Sequence, residues 1–138
     1  MSNEQIISHF DVSASALTAE RARMRVISSN VANANTTRTP EGGPYQKKFA
    51  VLESKDVSDS SVEKGVHVSQ VVTDTTPPRM VYQPEHPDAN EQGYVAYPNV
   101  DVLQEVADMK TATLSYQANL SIINGTKQMI SQSLRIGD

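Results

Sequence analysis

The sequence predicts a mainly α protein with a small β element. Long N- and C-terminal helices pack as coiled-coil-like arms, connected by a Pro/Gly-rich central segment with short strands. Three observations predict it. All seven prolines fall between Pro40 and Pro98, and four of the six glycines between Gly42 and Gly93. Proline removes a helix donor and glycine frees the backbone, so the flanks stay helix-compatible while the centre does not. Five of the seven aromatic residues (Tyr45, Phe49, Tyr82, Tyr94, Tyr97) also lie in the centre. Finally, both flanks carry a heptad period. The predicted segments are 1–36, 37–98 and 99–138.

In the first arm, alternating steps of four and three from Ile6 reach Phe10, Ser13, Leu17, Glu20, Met24, Ile27, Val31 and Ala34, and seven of these nine positions are apolar. The same steps from Val102 reach Val106, Met109, Thr113, Tyr116, Leu120, Ile123, Lys127, Ile130 and Leu134, eight of ten apolar. Such a period keeps one stripe facing a partner helix. An amphipathic helix lying on a globular core gives a similar stripe over a shorter length. The persistence of the period favours the coiled-coil reading.

The ends of the arms follow from local chemistry. Ser2 or Asn3 is a suitable first cap, with Glu4 in the turn where the helix dipole favours an anion. The arm should end at Asn33–Asn35, because Thr36, Thr37 and Thr39 are β-branched and Pro40 disfavours helix at the residue before it. The second arm should start after Pro98, capped by Asn99 or Asp101, and run to about Arg135, with Gly137 as the stop. At 1.5 Å per residue each arm is roughly 45–55 Å long. In the centre, Tyr45–Leu52, Val66–Val72 and Arg79–Gln83 read as strands. Val62–Val66 reads as a turn, and Glu41–Pro44 and Gln83–Gly93 as loops. The run Glu53–Glu63 is polar and should be exposed.

Composition narrows the function. The apolar share is 38%, below the ordinary ~45–50%, and Ser, Thr, Asn and Gln together number 42 of 138 residues. A private core is hard to build from this chain, so the arms are expected to need partners and to gain order on assembly. The absence of cysteine excludes disulfides, cysteine-ligated metals and a thiol nucleophile. A net charge of −4 argues against a nucleic-acid partner, which selects a basic face. The longest apolar runs, Phe49–Leu52 and Tyr94–Tyr97, have four residues each, whereas a spanning helix needs about 20. The N-terminus lacks the basic and apolar blocks of a secretory signal. The protein is therefore expected to stay in the cytoplasm or to leave by a route that reads no such signal.

No catalytic constellation stands out. His9, His67 and His86 have no metal-ligand spacing. No Gly-x-Ser-x-Gly turn positions a hydroxyl, and Gly42–Gly43 lacks the Lys-Ser/Thr that completes a phosphate loop. The pairs Asp56/Asp59 and Asp88/Glu91 read as solvated charges. Arg21, Arg23 and Arg25 fall on different sides of a helix. Catalytic, cofactor and metal sites, and a small-molecule substrate, are accordingly not expected. The cluster Asn30, Asn33 and Asn35 is more specific, since asparagine competes for backbone hydrogen bonds inside a helix. It suits a helix end or contacts to a neighbouring chain.

The segment Ser29-Asn30-Val31-Ala32-Asn33-Ala34-Asn35-Thr36-Thr37 resembles the signature of the bacterial flagellar rod and hook axial proteins. Its continuation, Arg38-Thr39-Pro40-Glu41-Gly42-Gly43-Pro44-Tyr45, is similar to that of the proximal-rod members of the basal body. So are Val81–Asn90, Gly93–Asp101 and Tyr116-Gln117-Ala118-Asn119, in the right order over nearly the whole chain. Leu114 and Gln117 depart from the family pattern. The resemblance implies a non-enzymatic structural subunit of the proximal rod, part of a torque-transmitting drive shaft spanning the periplasm. It implies assembly with copies of itself and other rod proteins, and termini that are disordered in the monomer. It also implies dealings with the flagellar type III export apparatus and the membrane ring, and export without a cleaved signal peptide. The candidate assembly interface comprises Phe10, Leu17, Met24, Ile27, Val31, Asn30, Asn33 and Asn35 on the first arm. On the second it comprises Val106, Met109, Tyr116, Asn119, Leu120, Ile123 and Leu134. A cytoplasmic coiled-coil adaptor or export regulator is the alternative that shares the arms.

Overall fold

The computed structural model describes residues 3–57 and 64–137. Helix α1 spans Asn3–Ala32 and helix α2 spans Val102–Ile136, with β1 (Lys48–Asp56), β2 (Lys64–Thr73), β3 (Arg79–Tyr82) and β4 (Tyr94–Tyr97) between them. The molecule is mainly helical with a small β element. The helices run antiparallel: Asn30 meets Glu105 at one level and Met24 meets Thr113 further along. α1 is the shared wall, with α2 and the β1–β2 hairpin each packed on it. The β3–β4 ribbon packs on neither helix and not on the hairpin.

α1 stops where the asparagine cluster begins. Asn33 Nδ2 donates to Ser29 O at 2.9 Å, beside the 3.1 Å bond from Asn33 N to the same carbonyl, and Thr36 Oγ1 donates to Asn33 Oδ1 at 3.2 Å. At the other entry, Asp101 caps α2 and accepts from the backbone N–H of Leu103 and Gln104. Gly137 ends α2 at φ −84°, in the right-handed region, so the predicted stop is there without a left-handed cap. The predicted first cap at Ser2 or Asn3, with Glu4, and the turn and polar run over 58–63 lie outside the described residues or side chains.

The β elements differ from expectation in three places. β1 starts at Lys48 rather than Tyr45 and continues through Glu53–Asp56, the exposed beginning of the polar run. The backbone ladder holds it there, with Asp56 opposite Lys64, so exposed polar side chains do not prevent the strand. Lys64–Val66 belongs to β2 instead of a turn. Tyr94–Tyr97, noted only as an apolar run, is a strand paired with β3. The register of the hairpin shifts at Val51/Leu52, which leaves Ser69 as an extra residue on β2. Gly65 sits at the close approach of β2 to α1: a Cβ there would lie 2.5 Å from Ser15 Oγ. That hydroxyl accepts from Val66 N at 3.0 Å and donates to Val12 O at 2.7 Å.

The core is small and partly polar. Its buried apolar residues are Ala19, Ile27, Ala34, Val95 and Ala112, while the largest fully buried side chains include Glu105 and Asn30. On α2 the buried and half-buried positions include Glu105, Met109, Ala112, Tyr116, Asn119, Ile123 and Thr126. Only Met109, Tyr116 and Ile123 also belong to the apolar stripe counted from Val102. The rest of that stripe, apart from half-buried Thr113, faces outward. On α1 the counted stripe does turn inward, from Ser13 to Ala34, with Phe10 left exposed.

Candidate assembly interface

Asn30 is the junction of the molecule. It lies in the last turns of α1, where helical spacing directs it between α2 and the chain entering β1. Its Nδ2 donates to Lys48 O at 2.9 Å and to Glu105 Oε2 at 3.0 Å. Its Oδ1 accepts from Lys48 N and Tyr45 OH, each at 2.9 Å. All four hydrogen-bonding positions of the amide are thereby used. Glu105, in the first turn of α2 and 2% exposed, binds Lys47 Nζ through Oε1 at 2.7 Å. The buried carboxylate is tolerated because it is paired with the half-buried ammonium and hydrogen-bonded. Lys47, Glu105 and Tyr45 were not among the residues expected to matter.

A second junction ties the ribbon to the end of α1. Thr37 Oγ1 donates to Asp88 Oδ2 at 2.7 Å and Arg38 pairs with the other carboxylate oxygen. Asp88 N donates to His86 Nδ1 at 3.1 Å. The Thr37 hydrogen bond foremost, and the nearby Arg38 and His86, hold the Asp88 carboxyl below its ordinary range.

The residues expected at an interface divide by surroundings. Ile27 is buried, Leu17, Met24 and Val31 are half-buried, and Phe10 is 40% exposed. Met109, Tyr116, Asn119 and Ile123 are half-buried between the helices, and Asn119 Nδ2 is bonded to Ser115 O in its own helix. Val106, Leu120 and Leu134 are exposed, Leu134 at 69%. The asparagine cluster serves the chain itself first: Asn30 is 1% exposed and saturated, Asn33 closes α1, and Asn35 is the exposed member. Exposed Ile122, Met129, Ile130 and Ile136 extend the apolar surface of α2 beyond the predicted set.

Among the described residues, no group of three or more His, Asp or Glu side chains is placed to hold a metal ion. No helix there is long and apolar enough to cross a membrane.

A family model described as "Flagella basal body rod protein" matches residues 10–38, the inward stripe of α1 and the asparagine cluster. Another, "Flagellar basal body rod FlgEFG protein C-terminal", matches residues 91–136, which run from the ribbon through α2. The chain is 45% identical to the flagellar basal-body rod protein FlgC of Bacillus subtilis, over 92% of this chain and 95% of that one. The chain belongs to the FlgC family of flagellar basal-body rod proteins. The FlgC of Borreliella burgdorferi is 35% identical over 95% of this chain and 97% of its own. That of Escherichia coli O6:H1 is 38% identical over 96% and 98%. As a FlgC-family member, the chain is a structural, non-enzymatic subunit of the basal-body rod. Nothing in the fold or in these relatives favours a cytoplasmic adaptor.

Proposed function

We propose that this FlgC-family chain is a proximal-rod building block whose two helices form its axial part and whose centre contacts neighbours from the side. The division into axial segments at 1–36 and 99–138 and a lateral segment at 37–98 is part of this reading. The observation that carries it is the outward apolar row of α2. Val106, Leu120, Ile130 and Leu134 follow the heptad period yet stay exposed in the single chain. A periodic stripe left open by its own chain calls for other helices, and coiled-coil-like packing between subunits supplies them. Copies of the chain and other rod proteins are the partners that fit. Phe10 and Asn35 extend the surface from α1. Passage through the type III export apparatus, attachment at the membrane ring, a periplasm-spanning location and export without a cleaved signal belong to the same reading. So does the transmission of torque along the drive shaft.

Fractionation tests it. The chain is expected to co-purify with detergent-resistant hook–basal bodies, and a purely soluble pool in a motile strain would refute the assignment.

A further inference from the structure

We infer that Asn30, Glu105 and Lys47 fix the register of α2 against α1, so that the two helices pair at one height rather than at heptad-shifted alternatives.

The apolar pattern alone does not choose. Leu17, Met24 and Val31 recur every seven residues on α1, as do Met109, Tyr116 and Ile123 on α2. Sliding one helix by seven residues, about 10.5 Å, puts like residues opposite like again. Nor does the ribbon press on either helix, being tied to α1 only past its exit, through Thr37 and Arg38 to Asp88. β3–β4 separates the hairpin from α2 in the chain and packs on neither helix.

The polar cluster does choose. In the observed register Asn30 and Glu105 meet at 3.0 Å and Met24 and Thr113 at 3.7 Å. A slide of one heptad in one direction brings Asn30 beside Ala112 and carries Glu105 past the end of α1. In the other direction Glu105 reaches Arg23, but Asn30 falls beside Pro98 and Lys47 loses its carboxylate. Each alternative buries unpaired polar groups, which costs far more than an imperfect apolar fit. A single polar residue in a helix seam specifies register in the same way.

The chain has no cysteine, so disulfide trapping can read the register directly in the full-length monomer. Met24→Cys with Thr113→Cys reports the observed register. Met24→Cys with Val106→Cys, or with Leu120→Cys, reports a slide of one heptad either way. In the otherwise native chain, only the first pair is expected to close within one molecule. With Asn30→Leu, Glu105→Leu and Lys47→Met together, the helices should remain paired, and the shifted pairs should close as well. Asn30→Leu alone, which keeps the Lys47–Glu105 pair, should give them in smaller yield. Exclusive closure of the first pair in both variants would overturn the inference. So would shifted closure in the native background, or loss of helical circular dichroism in both variants, since the cluster would then serve folding rather than register.

Discussion

Thr37 and Asp88 lie 51 residues apart in sequence and are joined by a 2.7 Å hydrogen bond from Oγ1 to Oδ2. The bond joins the exit of α1 to a ribbon that touches neither helix. Because the Asp88 carboxyl is held below its ordinary 3.8, its contribution has a defined pH sense. A carboxyl lowered in the folded state stabilises above the unfolded value and loses that contribution as pH falls through the folded one. The ribbon is therefore expected to loosen below about pH 4, the ordinary carboxyl range. Hydrogen exchange at Tyr94–Tyr97 would show it, and Asp88→Asn should remove the acid step. Unchanged acid sensitivity in that variant would refute the role.

Lys47→Met leaves Glu105 buried without its cation. Breaking a buried pair from one side costs about 3–5 kcal/mol, and denaturant unfolding should show a loss of that size. Pairing Lys47→Met with Glu105→Leu should recover most of it. If the double variant is as unstable as the sum of the singles, the two side chains do not act as a pair.

Gly65→Ala places a methyl 2.5 Å from Ser15 Oγ and 2.7 Å from Val57 Cγ2. Overpacking of this kind costs about 1–3 kcal/mol. The melting temperature should fall accordingly. A melt indistinguishable from the native protein would mean that the hairpin does not sit this close to α1.

Leu120→Asp tests the outward row. Leu120 is 38% exposed, so the change should cost the single chain less than the roughly 2–5 kcal/mol of truncating a fully buried leucine. A charge on an apolar seam between subunits should nevertheless block rod assembly, with expression unchanged. A motile Leu120→Asp strain would remove this residue from the interface.

The helices were legible because breakers and caps are local signals. The confinement of proline to the centre and the turn chemistry of Asn33 and Asp101 act over a few residues. The side of α2 that turns inward was not legible. Two heptad rows can be drawn on this helix, sharing Met109, Tyr116 and Ile123. The more apolar row, through Val106 and Leu120, faces outward, whereas the inward row runs through Glu105, Ala112 and Asn119. Counting hydrophobicity here selects the exposed row, because the inward row carries Glu105 and Asn119.

Glu105 was hidden for a related reason. An acid in the first turn of a helix is ordinarily a solvated complement to the dipole, and Lys47 beside Lys48 reads as exposed charge. Their burial depends on a meeting between residues 58 apart in sequence, which no local pattern encodes. The β4 strand escaped because four residues between Gly93 and Pro98 are too few to show alternation.

The separation of the β3–β4 ribbon from both helices bears on how such a chain can change over time. A loop between strands that pack on neither helix can lengthen at an entropic cost that grows only with the logarithm of its length. Insertions between Gln83 and Gly93 that leave Asp88 bonded to Thr37 would therefore reshape the flank of the subunit while the helical pair keeps its dimensions. The two regions of the chain are free to diversify at different rates.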